Sequence, residues 1–296
     1  MFAGFESRRA RVPMAGGQGD IHYVIGGKGP PVLLLHGHPQ TLFMWHKVAP
    51  VLAERFSVVC ADLRGYGDSD KPGGDDRHET YSKRAMAADM VTLMRGLGFE
   101  RFALVGHDRG GRVGHRLCLD HPDAVRLFVP IDISPTLTIY EATNRELATR
   151  YFHWFFLIQP YPFPEKLIEH DIDFYMPWML GQRWRAPIVH APEAIAEYIR
   201  CARLPGTIHA MCEDYRAADS IDLGHDRADR APDGRRTRCP VHALWAENGM
   251  IAKMFNPIVD FAPWAAGPVT GRALPGGHYL PEESPGHVID ELRRIL

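Results

Sequence analysis

Residues Gly106-His107-Asp108-Arg109-Gly110 constrain this chain more than any other stretch. They follow an apolar run, Phe102-Ala103-Leu104-Val105, and precede a helical segment from Val113 to Asp120. A Gly-x-nucleophile-x-Gly turn between a buried strand and a helix is a nucleophile elbow. It is strained, and neighbouring backbone passes close to it, so its flanks favour glycine. A helix-capping aspartate is common, but it needs neither the two glycines nor the strand. The central residue here is Asp108. A carboxylate does not readily displace an alkoxide from a stable ester, yet it can attack an sp3 carbon and form an ester itself. That points away from lipid or peptide cleavage and toward dehalogenation or epoxide opening.

The rest of the chain alternates short apolar runs with helical stretches. Pro31 to Leu35 ends in His36-Gly37-His38-Pro39, and Ser57 to Ala61 ends in Asp62-Leu63-Arg64-Gly65. Lys83 to Leu97 reads as a helix closed by Gly98, and Leu127 to Ile131 runs into Asp132. Val241 to Ala246 and Val269 to Leu274 are further strands, the second followed by Pro275-Gly276-Gly277-His278. Glu282 to Leu296 forms the closing helix. This pattern predicts an α/β fold with a mostly parallel sheet covered on both faces. After Pro135 the chain turns aromatic, proline-rich and helical up to Ile221, which predicts a helical cap inserted in the core. The expected organisation is core 1–135, cap 136–221 and core 222–296. Asp222 to Arg238, charged and poor in apolar residues, is expected to be a surface connection.

With 296 residues, 45% of them hydrophobic, the chain can bury one large core with a lid. A net charge of −2 gives no general attraction to nucleic acid or anionic membrane. No apolar run reaches transmembrane length, and Met1 to Arg11 lacks the apolar core of a signal peptide. The five cysteines are scattered and odd in number, which disfavours disulfides or zinc and makes the cytoplasm the expected location.

Candidate partners for Asp108 follow from strand order. His278 lies after the last strand, where a general base completes the order nucleophile, acid, histidine. Asp132, after the strand that follows the nucleophile helix, is the preferred acid, with Glu247 the other position. Arg109 and Arg112 lie one helical turn apart beside the nucleophile, and a guanidinium fork pairs bidentately with a carboxylate. That suits a small carboxylate substrate. The backbone N–H groups of His38 and Arg109 are the expected oxyanion hole. A metal site from His36, His38 and His46 has no matching carboxylate or thiolate spacing. His153, Trp154 and Tyr215 could aim N–H and O–H donors at a departing anion or simply pack in the cap, and their residue types leave both open.

Taken together, the chain resembles the fluoroacetate dehalogenases of the α/β-hydrolase superfamily. The matching stretches are His36 to Thr41 with Met44-Trp45-His46, Ala61 to Ser69, Gly106 to Arg112, Ile131-Asp132-Ile133, His153-Trp154, Met211 to Arg216 and Gly277 to Glu283. The resemblance runs from Phe5 to the C-terminal helix. It implies Asp108 as nucleophile with Asp132 and His278 as its acid and base. It implies Arg109 and Arg112 as carboxylate clamp and His153, Trp154 and Tyr215 as fluoride-binding trio. It also implies a haloacetate substrate, a homodimer and no cofactor. Two departures stand out. His38 occupies a place usually held by a bulky aromatic residue, and the tryptophan near the substrate is either Trp178 or Trp184. The competing readings are an epoxide hydrolase with cap tyrosines such as Tyr151 and Tyr215, a long-chain haloalkane dehalogenase, and a non-catalytic binding protein on the same fold.

Overall fold

The computed structural model describes residues 2–14, 16–181 and 189–296. Eight strands form one sheet: β1 (Glu6–Met14), β2 (Gly17–Gly26), β3 (Pro31–Leu35), β4 (Ser57–Ala61), β5 (Phe102–His107), β6 (Val125–Ile131), β7 (Val241–Ala246) and β8 (Val269–Leu274). Their order is β1-β2-β4-β3-β5-β6-β7-β8. Every pairing from β4 to β8 is parallel, while β1 and β2 add an antiparallel hairpin at one edge. Strands such as Val32 to Leu35 and Phe102 to His107 are buried throughout, as expected where helices cover both faces.

The edge hairpin is an addition to the expected elements. Along β1 only Val12 is buried, and Arg8, Arg9 and Arg11 face solvent. An edge strand built this way carries almost no apolar signal, and its charges discourage pairing with another chain.

The nucleophile helix spans Arg109–Asp120, four residues more than the apolar pattern suggested. Its early glycines are poor helix formers, but they allow close approach. A Cβ at Gly106 would lie 2.5 Å from the Gly110 carbonyl oxygen, and one at Gly110 would lie 2.5 Å from that of His36. The closing helix is split into Leu280–Glu283 and Pro285–Ile295, because Pro285 begins a new helix after Ser284.

Between β6 and β7 the described chain is helical: Thr136–Glu141, Arg145–Arg150, Phe152–Phe156, Phe163–His170, Ile172–Met179, Pro192–Ala202, Thr207–Asp219 and Ile221–Arg230. The last corrects the expected surface connection. Asp222, Leu223, Asp226 and Asp229 form a buried face. Arg116 of the nucleophile helix binds both Asp226, at 2.9 Å, and Asp229, while the Lys83 backbone N–H donates to Asp222 at 2.9 Å. Ion pairs, rather than apolar residues, make this face buriable. One hydrophobic cluster runs from sheet residues such as Leu34 and Val105 to Trp154, Met211 and Tyr215 of the inserted helices.

Candidate active site

The carboxyl ends of β3, β5, β6 and β8 carry His36–Pro39, Asp108, Asp132 and His278, and these converge at one end of the sheet. Asp108 sits on the elbow with φ 45° and ψ −113°, a conformation that costs a non-glycine residue about 1–3 kcal/mol. Asp132 also has positive φ, 53°, at the end of β6. Both carboxylates are thus held in strained backbone, which aims them off the sheet.

Asp108 Oδ1 accepts the His38 backbone N–H at 3.0 Å. Among the described residues no donor reaches Oδ2. Burial raises the Asp108 pKa, but His278, Arg112, His107 and Arg109 together outweigh it and hold the carboxyl well below the usual carboxylate range. His278 Nδ1 lies 2.6 Å from Asp132 Oδ2, and the Ala246 backbone N–H donates to Asp132 Oδ1 at 3.0 Å. With Nδ1–H donated to Asp132, the Nε2 lone pair of His278 is the basic one. Glu247, the alternative acid, is exposed, and its backbone N–H donates to Leu274 O at 3.0 Å.

Residues around the histidine lacked a sequence signal. His107 Nε2 donates to the His278 carbonyl oxygen at 2.7 Å, and the two rings lie 4.7 Å apart. Burial pushes the His107 pKa down to about 4, so the ring is neutral at pH 7. His36 donates Nδ1–H to Gly37 O and accepts the Leu63 N–H at Nε2. Both of its ring nitrogens therefore serve the loop and leave nothing for a metal.

The arginine pair is buried beside Asp108, but not as a free fork. Arg109 directs Nε and Nη2 at the Asp214 carboxylate, at 2.9 and 2.7 Å, and lies 4.1 Å above the Tyr215 ring. The bidentate edge assigned to substrate is therefore occupied internally. Of the three guanidinium nitrogens of Arg109, Nη1 alone is buried without a partner among the described residues. Arg112 donates Nη1 to Ser134 O and Thr136 Oγ1, both at 3.1 Å, lies 4.7 Å above the Trp154 ring, and leaves Nε unpaired. Asp214 also accepts from Tyr66 Oη at 2.7 Å and pairs with Lys83. It directly precedes Tyr215 in the sequence, but nothing in residue type or spacing links it to Arg109.

A cavity of about 360 Å³ opens onto Asp108. Its walls include His38, His153, Trp154, Tyr151 and His278, with Arg150 and Lys253 farther along the lining. Tyr215 is buried against the lining residues His38, His153 and Trp154, Arg112 against Trp154, and Arg109 against Tyr215. The three candidate anion donors do come together: Tyr215 packs edge-on against His153 at 5.8 Å and Trp154 at 6.2 Å between ring centres. His38 joins them, stacked on His153 at 6.1 Å and edge-on to Tyr215 at 5.1 Å. The Tyr215 hydroxyl is buried without a partner, and burial followed by the Asp108 charge raises its pKa, so it stays protonated. Trp178 is exposed, stacks on Phe174 and does not line the cavity, while Trp184 lies outside the described residues.

The α/β-hydrolase fold family matches residues 30–253. The chain is 46% identical to a fluoroacetate dehalogenase from Burkholderia sp, over all of this chain and 95% of that one. It is 35% identical to a soluble epoxide hydrolase from Corynebacterium sp. (strain C12), over 91% of each. A crystal structure from Nostoc sp PCC 7120, ascribed to the α/β-hydrolases, superposes with a TM-score of 0.92 at 47% identity, covering 99% of this chain and 98% of the other.

Proposed function

Because the chain belongs to the α/β-hydrolases and, within them, to the haloacetate dehalogenase family, we propose that it converts a haloacetate, fluoroacetate among them, to glycolate and halide. The observation that carries this reading is the buried arginine pair behind an ionised Asp108, with Arg109 Nη1 and Arg112 Nε unpaired. Leaving buried guanidinium donors unmet is costly, and a substrate carboxylate would satisfy them.

In this mechanism the arginines hold the substrate carboxylate with its α-carbon facing Asp108. Oδ1 is occupied by the His38 N–H, so Oδ2 attacks. The C–X bond breaks as the C–O bond forms, and the halide leaves toward His153, Trp154 and Tyr215. Fluoride is a poor, strongly solvated leaving group and needs several donors placed where charge develops. His278, oriented by Asp132, then takes a proton from water, and the hydroxide attacks Cγ of Asp108 rather than the substrate carbon. The charge that builds on Oδ1 is met by the backbone N–H groups of His38 and Arg109. Glycolate leaves with the proton from His278, and Asp108, left as the acid, gives its own proton to solvent, so that one proton accompanies each halide released.

Residues 136–221 act as the cap and 1–135 with 222–296 as the two parts of the core. The protein works without a cofactor, as a homodimer in the cytoplasm. Its partner is a small molecule rather than nucleic acid or membrane. A neutral epoxide would have no use for two buried guanidiniums, and a binding protein would not need the Asp108–His278–Asp132 set. The test measures fluoride and chloride release from fluoroacetate and chloroacetate, with Asp108→Asn as the blank. Release of both ions, lost in the variant, is expected. Chloride alone would remove the fluoride cradle from the mechanism, and neither ion would overturn the reading.

A further inference from the structure

The site holds one group that haloacetate chemistry does not fully use. The Tyr215 hydroxyl is buried, protonated and without a partner, in an aromatic cluster with His38, His153 and Trp154. A departing halide accepts hydrogen bonds but takes no proton. A departing alkoxide does, and a phenol can supply it.

Resting on the dehalogenase reading above, we propose a second activity at the same site: hydrolysis of α,β-epoxy carboxylates, the smallest being glycidate, with Tyr215 as the general acid. In a haloacetate the leaving atom and the carboxylate share one carbon. In glycidate the ring oxygen is bonded to that same α-carbon and is tied back by a single methylene. The substrate therefore presents the same three groups, carboxylate, α-carbon and leaving atom, to Arg109 and Arg112, Asp108 and the donor cluster. The two arginines that discourage a neutral epoxide favour this anionic one. The cavity of about 360 Å³ leaves room for the added methylene.

The step balances. Oδ2 of Asp108 forms a bond to the α-carbon, the ring C–O bond breaks, and its electron pair takes the Tyr215 proton to give a 3-hydroxy ester and a tyrosinate. Water then loses one proton to His278 and adds hydroxide to Cγ. Collapse expels the 2-alkoxide, which takes the proton from His278 and leaves as 2,3-dihydroxypropanoate. The protonated Asp108 returns its proton to the tyrosinate. The α-carbon is inverted once.

The experiment follows glycidate and chloroacetate in parallel with wild type, Asp108→Asn and Tyr215→Phe. Wild type should give 2,3-dihydroxypropanoate inverted at C2, and Asp108→Asn should give none. In a single turnover in ¹⁸O-water the label should enter Asp108 and not the product. Removing a general acid costs about 10²–10⁴-fold, so Tyr215→Phe should slow glycidate by that order, and by more than it slows chloroacetate, whose chloride loses one of its donors. A far-UV circular dichroism spectrum and a urea midpoint equal to those of wild type show that the variant is folded. Haloacetate turnover with untouched glycidate overturns this inference alone, and loss of both in wild type overturns the dehalogenase reading as well. Equal slowing of both substrates in Tyr215→Phe removes Tyr215 as the acid.

Discussion

Asp108 and Asp214 are both buried carboxylates close to Arg109, and they are treated in opposite ways. Asp214 is saturated: it takes two N–H groups from Arg109, the Tyr66 hydroxyl and the Lys83 ammonium. Asp108 receives one backbone N–H at Oδ1, and no donor among the described residues reaches Oδ2, the oxygen that attacks in the proposed mechanism. Both stay ionised well below the usual carboxylate range, Asp214 despite its burial because Arg109 and Lys83 outweigh it. A low pKa therefore does not distinguish the proposed nucleophile from the anchor. Donor saturation does, since each hydrogen bond held in the ground state withdraws electron density and makes the oxygen a poorer nucleophile.

The sharpest way to break this contrast is His278→Asn. With no base to activate water, one turnover should leave an ester on the protein, and repeated turnover should be lost. Peptide mass spectrometry should find the added mass on the peptide carrying Asp108. Added mass at Asp214 would reverse the two roles, and wild-type turnover would remove His278 as the base.

Next in size is Asp214→Asn. Breaking a buried ion pair from one side costs about 3–5 kcal/mol, because Arg109 and Lys83 would be left in low dielectric with a neutral partner. Urea denaturation should show that loss, and surviving enzyme should have a raised KM for chloroacetate with kcat less affected, since Arg109 loses its brace. Full stability with a lowered kcat would place Asp214 in the chemistry instead.

The smallest effect separates the regions by pH. The folded pKa of His107, beside the nucleophile, is pushed down to about 4 by burial, while the unfolded chain takes up a proton near the ordinary value of 6.5. Its contribution to stability is complete above about pH 6.5 and is lost as pH falls toward 4. That of Asp214 also has a depressed folded pKa, but it is lost only below its unfolded value of 3.8. Between pH 7 and 5 the His107 share amounts to about 2 kcal/mol, and His107→Asn should flatten the measured slope by that amount. An unchanged slope would mean that another group sets it.

These contrasts also mark what the sequence conveys. The elbow was legible because close packing demands Gly106 and Gly110, and the parallel strands because burial on both faces leaves unbroken apolar runs. Asp132 and His278 were legible because strand order fixes which loops meet. Asp214 was not, since its partners Tyr66, Lys83 and Arg109 come from three distant segments joined only by the fold. The helix Ile221–Arg230 was hidden for a similar reason: its buried acids look like solvated ones until Arg116 is placed against them. The hairpin strand β1 escaped because an edge strand need bury only one residue.

The proposed base and the proposed nucleophile do not share the same security. Asp108 follows β5, which has a neighbour on each side, whereas His278 follows β8, the outermost strand, paired with β7 alone. A strand with a single ladder is among the first parts of a sheet to fray. Partial melting from that edge would carry the histidine away while the elbow still stood, had His107 on the central strand not fastened the His278 carbonyl. With that bond removed, as in His107→Asn, thermal wear on the proposed mechanism would show itself first as enzyme stalled at its covalent ester, able to begin a cycle and unable to finish it.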